Sequence, residues 1–545
     1  MPGGELQLVA YGAQDLYLTG NPQKTFFKRV YKRYTNFAME YIRQDFTKIP
    51  SANTTESIKL DCKIGRNGDL IGDIYLVYDL PNIFSTDVDN FKWINDIGLH
   101  LVRSAEILIG GQSIDKQYGL WMKIWNELVP KNPSSYKRMI GKVTPVRNPY
   151  PYYGSIEQGV QSNDDPLPGQ PVYPSIRERR LYVPLEFWFC RNSGLFLPLV
   201  ALQYHEVHIV IEIEPLNHLF TVGKPSIAPC KLFGDSSNPG DEGVNNYDEL
   251  LELLDDGWDS TNLFWRYVNG TESPGAWNEN VYLEVNYIFL DDEERRRFAK
   301  SSHSYLITQV QQRIFCGLTG SRILELQLQH PVNELMWVFR RSDVDKTNQW
   351  SNFTNLINPG DILTIRTLRD CLNCLKLLDC DACPPDTDDY KKLRPLTLGS
   401  GLTVEELWTI INNDDANQTP LENIDAFDQN NNIMYTARFM LNGHDRMASK
   451  DTFFFEALQT YKYHGRSPIN DPVSAGVYAF SFSLKPAKPR DPSGSINMSR
   501  INKVQMEIVL REPQDEDLNY DMFLYAVNHN ILRIKSGMGS TVFAN

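Results

Sequence analysis

A chain of 545 residues exceeds what one hydrophobic core supports, because cores stop growing at about 250 to 300 residues; two domains, or one duplicated domain, are expected. Its 41% apolar and 12% aromatic residues can fill sizeable cores, and 32 Pro with 34 Gly indicate many turns, the balance of a globular, mostly β protein. A net charge of −14 argues against a surface that coats phosphate backbones, which needs clustered Lys and Arg, so direct nucleic-acid binding is not expected.

The amino terminus lacks a basic stretch followed by an apolar one, so a secretory signal is not expected, and Pro2 stands where N-myristoylation needs glycine. No apolar run approaches the roughly 20 residues of a spanning helix. Eight Cys is ordinary usage for a cytosolic protein rather than a disulfide scaffold.

Residues 6–40 read LQLVAYGAQDLYLTGNPQKTFFKRVYKRYTNFAME. An extended run breaks at Gly20-Asn21-Pro22, and then Phe26, Phe27, Val30, Tyr31 and Tyr34 recur at helical spacing among Lys24, Lys28, Arg29, Lys32 and Arg33. This predicts a basic amphipathic stub ahead of an acidic body. Strands are expected over 57–62, 69–80 and 101–109, the last meeting a Gly110-Gly111 turn. Leu120, Trp121, Ile124, Trp125 and Leu128 share one helical face, and 130–175, rich in Pro, Gly, Asn and Tyr, reads as a long ordered loop.

Strict alternation predicts strands over 181–189, 205–213 and 281–290, with 216–276 as an inserted surface loop. Acids precede bases in DDEERRR from Asp291, the order a helix dipole favours, so a short helix should bridge two halves. Strands resume at 305–311, 323–330 and 335–339, and after a second insertion over 341–432 at 434–441, 477–484, 504–510 and 522–534.

The halves repeat. A shift of 297 places Leu181, Val183, Leu185 and Phe187 on Tyr478, Phe480, Phe482 and Leu484, and also Val207, Ile209, Ile211 and Ile213 on Val504, Met506, Ile508 and Leu510. A shift of 240 places Leu283, Val285 and Tyr287 on Phe523, Tyr525 and Val527; the insertion 216–276 accounts for the change of shift. Sliding two alternating strands into phase often succeeds by chance, but one shift serving two strands favours duplication. Two copies of an antiparallel sandwich with long loops fit two jelly rolls.

Candidate chemistry is sparse. Cys371, Cys374, Cys380 and Cys383 form two CxxC pairs that can supply four thiolates to a structural Zn²⁺, with disulfides and free thiols as the other readings. His205-Glu206-Val207-His208 resembles part of HExxH, but its histidines point to opposite faces of a strand. Asp428, Asn430 and Asn432 imitate a calcium loop, yet Ile433 stands where glycine is needed. Sequons at Asn53, Asn269, Asn352, Asn417 and Asn497 matter only if the chain meets a glycosyltransferase.

The words GAQDLYLTGNP from Gly12, TFFK from Thr25, TNFAME from Thr35, LDDEERRRFA from Leu290, LNGHDR from Leu441 and LRIKSGMG from Leu532 closely resemble the major capsid proteins of large icosahedral double-stranded DNA viruses, including irido-, phycodna-, mimi- and marseillevirus-like viruses. The resemblance covers nearly the whole chain. It implies an all-β double jelly roll of two tandem eight-stranded antiparallel rolls, divided as arm 1–35, first roll 36–291, linker helix 292–302 and second roll 303–545.

It further implies a structural, non-enzymatic protein of the virion capsid, assembled in host cytoplasm. Homotrimeric capsomers would pack with neighbouring capsomers, penton and minor capsid proteins. Lys24, Lys28, Arg29, Lys32 and Arg33 then belong to a helix packed under the first roll, their charges solvated, or to an inward arm that docks minor proteins or faces an internal viral membrane, and both can hold together because the apolar stripe can pack while the charges reach out. No cofactor is expected beyond a structural zinc in the Cys cluster. The rival readings are a carbohydrate-binding or glycan-cleaving double jelly roll and a minor capsid paralogue.

Overall fold

The computed structural model describes residues 5, 19–29, 31–48, 56–83, 90–129, 132–141, 176–223, 280–344, 348–355, 432–464, 476–487, 491–513 and 518–543. Alternating side chains build the first sandwich from β1 (Phe37–Asp45), β2 (Ile58–Lys63), β3 (Leu70–Leu80), β4 (Asn90–Trp93), β5 (Val102–Ile109), β6 (Gln112–Tyr118), β7 (Arg179–Pro184), β8 (Leu197–Pro198), β9 (Val207–Ile213), β10 (Phe220–Gly223) and β11 (Val281–Leu290). One sheet runs β1-β11-β3-β7 and the other β2-β9-β5-β6, with non-consecutive neighbours, the crossovers of a jelly roll. On β9 the buried side chains are Val207, Ile209, Ile211 and Ile213, which face Leu283, Val285 and Tyr287 across one core.

Turn chemistry closes the β5–β6 hairpin where the Gly-Gly pair predicts it. Gly110 and Gly111 have φ of 59° and 79°, the left-handed pair a two-residue hairpin turn needs. The linker helix spans Asp292–Lys300; the Asp291 side chain accepts the Asp292 N–H at 2.8 Å, and Arg297 and Lys300 occupy its last turn.

The second sandwich consists of β12 (His303–Leu318), β13 (Ser321–Glu325), β14 (Pro331–Arg341), β15 (Met434–Leu441), β16 (His444–Asp445), β17 (Lys450–Asp451), β18 (Tyr478–Ser481), β19 (Ile496–Asn497), β20 (Val504–Leu510), β21 (Tyr520–Lys535) and β22 (Met538–Thr541). Its sheets run β12-β21-β14-β18 and β13-β20-β15-β16, so each strand of the first roll's two main sheets has a counterpart in the same place, while the β10-β4 pair of the first roll has none among the described residues. Loop hydrogen bonds repeat as well. Ile64 N donates to Val207 O at 2.9 Å and Leu326 N to Val504 O at 2.9 Å; Val200 N donates to Asp69 O at 3.1 Å and Met498 N to His330 O at 3.0 Å. The shift of 297 therefore joins true counterparts, β7 with β18 and β9 with β20.

The shift of 240 is off by one residue. Leu283, Val285 and Tyr287 fill the first core, whereas Met522, Leu524 and Ala526 fill the second, and Phe523, Tyr525 and Val527 look out of the second roll onto the first. Outward side chains there are apolar too, because another lobe covers them, and hydrophobicity alone cannot choose between the faces of a strand buried on both sides.

Other departures have local causes. The strand expected over 181–189 ends at Pro184, and Phe187 and Phe189 enter the core beside and within a helical turn, Trp188–Arg191. A helix at Pro133–Ile140 interrupts the expected loop, started by Asn132, whose side chain accepts the Ser135 N–H at 3.3 Å. The first expected insertion begins later than 216, because Leu216, Leu219 and Phe220 are buried and β10 pairs with β4. The second begins later than 341, since Val344 and Phe353 are also buried. β1 was not legible as a strand: it is an edge strand whose alternate residues are exposed aromatics and Met.

Candidate functional site

Two surfaces matter for a protein with two lobes, the seam between them and the faces left open. At the seam the outward face of the β12-β21-β14-β18 sheet covers β6 and the helix Gly119–Leu128 of the first lobe. Val310, Met336, Val338, Ala479, Tyr525 and Val527 thereby join the first core, and the rings of Tyr118 and Tyr525 lie 6.0 Å apart. Hydrogen bonds fix the register: Asp115 Oδ1 accepts the Val310 N–H at 3.1 Å, Gln309 Nε2 donates to Ile114 O, and Tyr204 N donates to Gly537 O at 3.0 Å. Residues 348–355 add a strap over the first lobe, with Asn348 Nδ2 donating to Phe220 O at 2.7 Å and Trp350 Nε1 to His218 O at 2.9 Å.

Ionisable groups are buried beside this seam. Lys123 and Asp96 form an ion pair at 2.8 Å, each side chain 1% exposed, and Lys123 Nζ also lies 5.4 Å from the Phe353 ring centre. Arg191 stacks over Trp125 at 4.7 Å and donates from Nε to Glu186 O at 2.8 Å. Burial pushes the Asp115 carboxyl up to about 6, against hydrogen bonds from Gln117 and Val310 that pull it down. Burial likewise pushes Glu334 up to about 8, and its neighbour His464, 3.5 Å away, down to about 4. Nothing in the expected patterns singled out these groups; the only hint was a lone charge inside an apolar run, such as Lys123 in LWMKIWNEL.

A cleft of about 440 Å³ opens along the seam, walled by Arg103, Glu212, Arg340, Trp350 and Phe523 among others. Arg103 is engaged with acids there, 3.6 Å from Glu212 and 3.7 Å from Glu214, and Arg340 stacks on Phe523 at 5.1 Å. Among the described residues no group of three or more His, Cys, Asp or Glu converges as a metal site.

The expected basic stub differs from its periodicity. Lys24, Lys28, Arg29, Lys32 and Arg33 are all exposed on a non-helical segment, and Phe26, Phe27, Tyr31 and Tyr34 are 79–98% exposed, so neither a helix nor packing under the first roll is formed. A helix this short is marginal without a surface to bury its stripe, and none of the described residues covers these aromatics.

Among the sequons, Asn497 is exposed on β19. Asn352 is not an available acceptor as folded: it is 5% exposed, its Nδ2 donates to Gln349 Oε1 at 3.2 Å, and its Oδ1 accepts from Thr354. Asn53, Asn269, Asn417, Cys371, Cys374, Cys380 and Cys383 lie outside the described residues. His205 and His208 diverge as expected, His205 Nδ1 lying 3.0 Å from Gly539 O and His208 Nδ1 3.0 Å from Asp61.

Comparison with known proteins places this architecture. The model of the major capsid protein N-terminus matches residues 25–291, and that of the large eukaryotic DNA virus major capsid protein matches residues 294–540. The major capsid protein of Phaeocystis pouchetii virus is 33% identical, and that of Paramecium bursaria Chlorella virus 1 is 30% identical, both chains of each pair being covered in full. Among solved structures, PBCV-1 VP54, fitted into a reconstruction of the virophage Sputnik, has a TM-score of 0.59 at 26% identity, covering 96% of this chain and 100% of that one. The Faustovirus major capsid protein shares the fold, with a TM-score of 0.58 at 14% identity and coverage of 96% and 94%. With matches across both lobes and relatives aligned from end to end, the chain belongs to the major capsid protein family of large eukaryotic DNA viruses.

Proposed function

We propose that three copies of this chain close into a capsomer of six similar lobes, a pseudo-hexagonal tile of an icosahedral shell, and that the protein works by assembly rather than turnover. The observation that carries this reading is the duplication itself: two rolls of identical strand order stand side by side in one chain, so a threefold ring presents six near-equivalent lobes. Permanent interfaces of this kind typically bury more than ~2,000 Å².

Capsid-shell neighbours are its partners. The arm carrying Lys24, Lys28, Arg29, Lys32 and Arg33 supports contacts to penton and minor capsid proteins, and through them to an internal membrane, because its cations and aromatics are presented together and unburied. The acidic balance of the chain speaks against direct contact with the genome. We assign assembly to the host cytoplasm, and a zinc or disulfide staple to Cys371, Cys374, Cys380 and Cys383, as parts of the same reading. Light scattering on the purified chain tests its centre: three times 62.7 kDa, about 188 kDa, is expected, and a mass of 62.7 kDa at all concentrations overturns the ring.

A further inference from the structure

We infer that the cleft along the seam, wholly within one chain, binds a small planar aromatic anion, its ring against Trp350 and Phe523 and its charge met by Lys116 and Arg340. Both lobes wall the cleft, and its volume of about 440 Å³ falls within the roughly 300–1,000 Å³ of small-molecule sites. The second lobe supplies rings. Phe523 of β21 and Trp350 of the strap are half-buried, and the Arg340 guanidinium of β14 lies 5.1 Å and 5.5 Å from their ring centres. Gln312 Nε2 donates to the Tyr525 hydroxyl at 2.9 Å and Trp350 Nε1 to His218 O at 2.9 Å, so these walls are set before a ligand arrives.

The first lobe supplies charge. Lys116 of β6 is half-buried, its Nζ 5.8 Å from the Tyr118 ring centre, and it makes no ion pair among the described residues. With Arg103 and Arg340 it makes three cations on the cleft against two carboxylates, Glu212 and Glu214. Both carboxylates are already engaged. Glu212 lies 3.6 Å from Arg103 and accepts the Ser104 hydroxyl at 3.2 Å, and Glu214 lies 3.7 Å from Arg103 and 3.1 Å from His218 Nδ1. In a chain of net charge −14 the cleft therefore pairs aromatic walls with surplus positive charge, which suits a flat anion and disfavours a cation.

The duplicated roll shows that its own strands do not need this charge set. Each roll carries the same β-bulge, between Val102 and Ser104 on β5 and between Met434 and Thr436 on β15, opposite the counterparts Ile213 and Leu510. The bulged residue is Arg103 in the first roll and Tyr435 in the second, and a bulge re-aims the side chain it carries. Under the shift of 297, Glu212 and Glu214 correspond to Val509 and Arg511. The second roll thus forms the same strands and bulge without the Arg103, Glu212 and Glu214 set. The seam does not need the set either, since Asp115, Gln309 and Tyr204 fix its register elsewhere. These charges serve the cleft.

Calorimetric titration of the full-length protein tests the site with three probes: 1-naphthoate, an aromatic carboxylate; dAMP, an aromatic base with a phosphate; and 1-naphthalenemethanol, an uncharged twin of the first. At least one anion should bind at one equivalent per chain and raise the melting temperature, because it bridges the two lobes, and the uncharged twin should bind about tenfold more weakly or worse. Tighter binding of 1-naphthoate assigns the natural ligand to aromatic carboxylates, and tighter binding of dAMP assigns it to nucleotides. Lys116→Gln should weaken the anion about tenfold with the ligand-free melting temperature unchanged, whereas Tyr435→Ala, at the other roll's bulge, should bind as wild type does. Failure of both anions to bind overturns the site. Equal binding of the uncharged twin, or anion binding that survives Lys116→Gln intact, overturns the assigned ligand chemistry.

Discussion

Asp115 of the first lobe accepts the backbone N–H of Val310 in the second at 3.1 Å, so a buried carboxyl in one roll caps the edge strand of the other. Its folded pKa is raised to about 6, above an unfolded value of roughly 3.9. A raised value means that the folded state holds the proton more tightly, so the stability linked to this site is fully present below ~4 and is lost as pH rises through about 6. Asp115→Asn should flatten thermal stability across that window. Asp115→Ala should cost about 1–3 kcal/mol, since the Val310 N–H loses its acceptor. Denaturant titrations at pH 5 and pH 7 decide both, and an unchanged slope in the Asn variant would count against the assignment.

Glu334 and His464 make a second, opposed pair. Glu334, raised to about 8, should cost stability as pH climbs from near its unfolded value through 8; His464, lowered to about 4, should cost stability as pH falls from roughly 6.5 toward 4. Glu334→Gln should remove the alkaline loss, raising the melting temperature above wild type at pH 9 while changing it little at pH 5. A variant melting no higher than wild type at pH 9 would refute the role of burial here.

Lys123→Met should destabilise by about 3–5 kcal/mol, because it leaves the Asp96 carboxylate buried without its ammonium partner at 2.8 Å. Adding Asp96→Asn should recover part of that loss. Equilibrium unfolding of the two single variants and the double variant closes the cycle, and strictly additive losses would show that the pair is not coupled.

Gly119 admits no side chain. A Cβ built there would collide with the carbonyl oxygens of Leu99 and Val102, and both are backbone atoms that cannot rotate away. Gly119→Ala should cost several kcal/mol or prevent soluble expression, far more than the ~1 kcal/mol scale of ordinary Gly-to-Ala differences in helices. Normal expression with a wild-type melting temperature would contradict this packing.

Strands with one wet face were legible because alternation reports a single core: Val207, Ile209, Ile211 and Ile213, and their counterparts from Val504 to Leu510, sit inward as the pattern predicts. The linker helix was legible for an equally local reason, its acids and bases being ordered along the dipole. The family words extended this to the whole double roll. What stayed hidden depended on distant contacts. β21 carries apolar residues on both faces, so its register slipped by one, and β1 shows too little inward hydrophobicity to read as a strand.

Residue order by itself therefore determined the two rolls, their duplication and the helix between them, because periodicity, turns and caps act between neighbours along the chain. Only the tertiary structure decided which faces close the seam, why Asp115, Lys123 and Glu334 are buried, and that Phe37, Met39, Tyr41, Leu458 and Tyr461 remain open. The physical reason is that burial and pairing belong to groups hundreds of positions apart, and the same aromatic residue is core or interface according to what the fold sets against it.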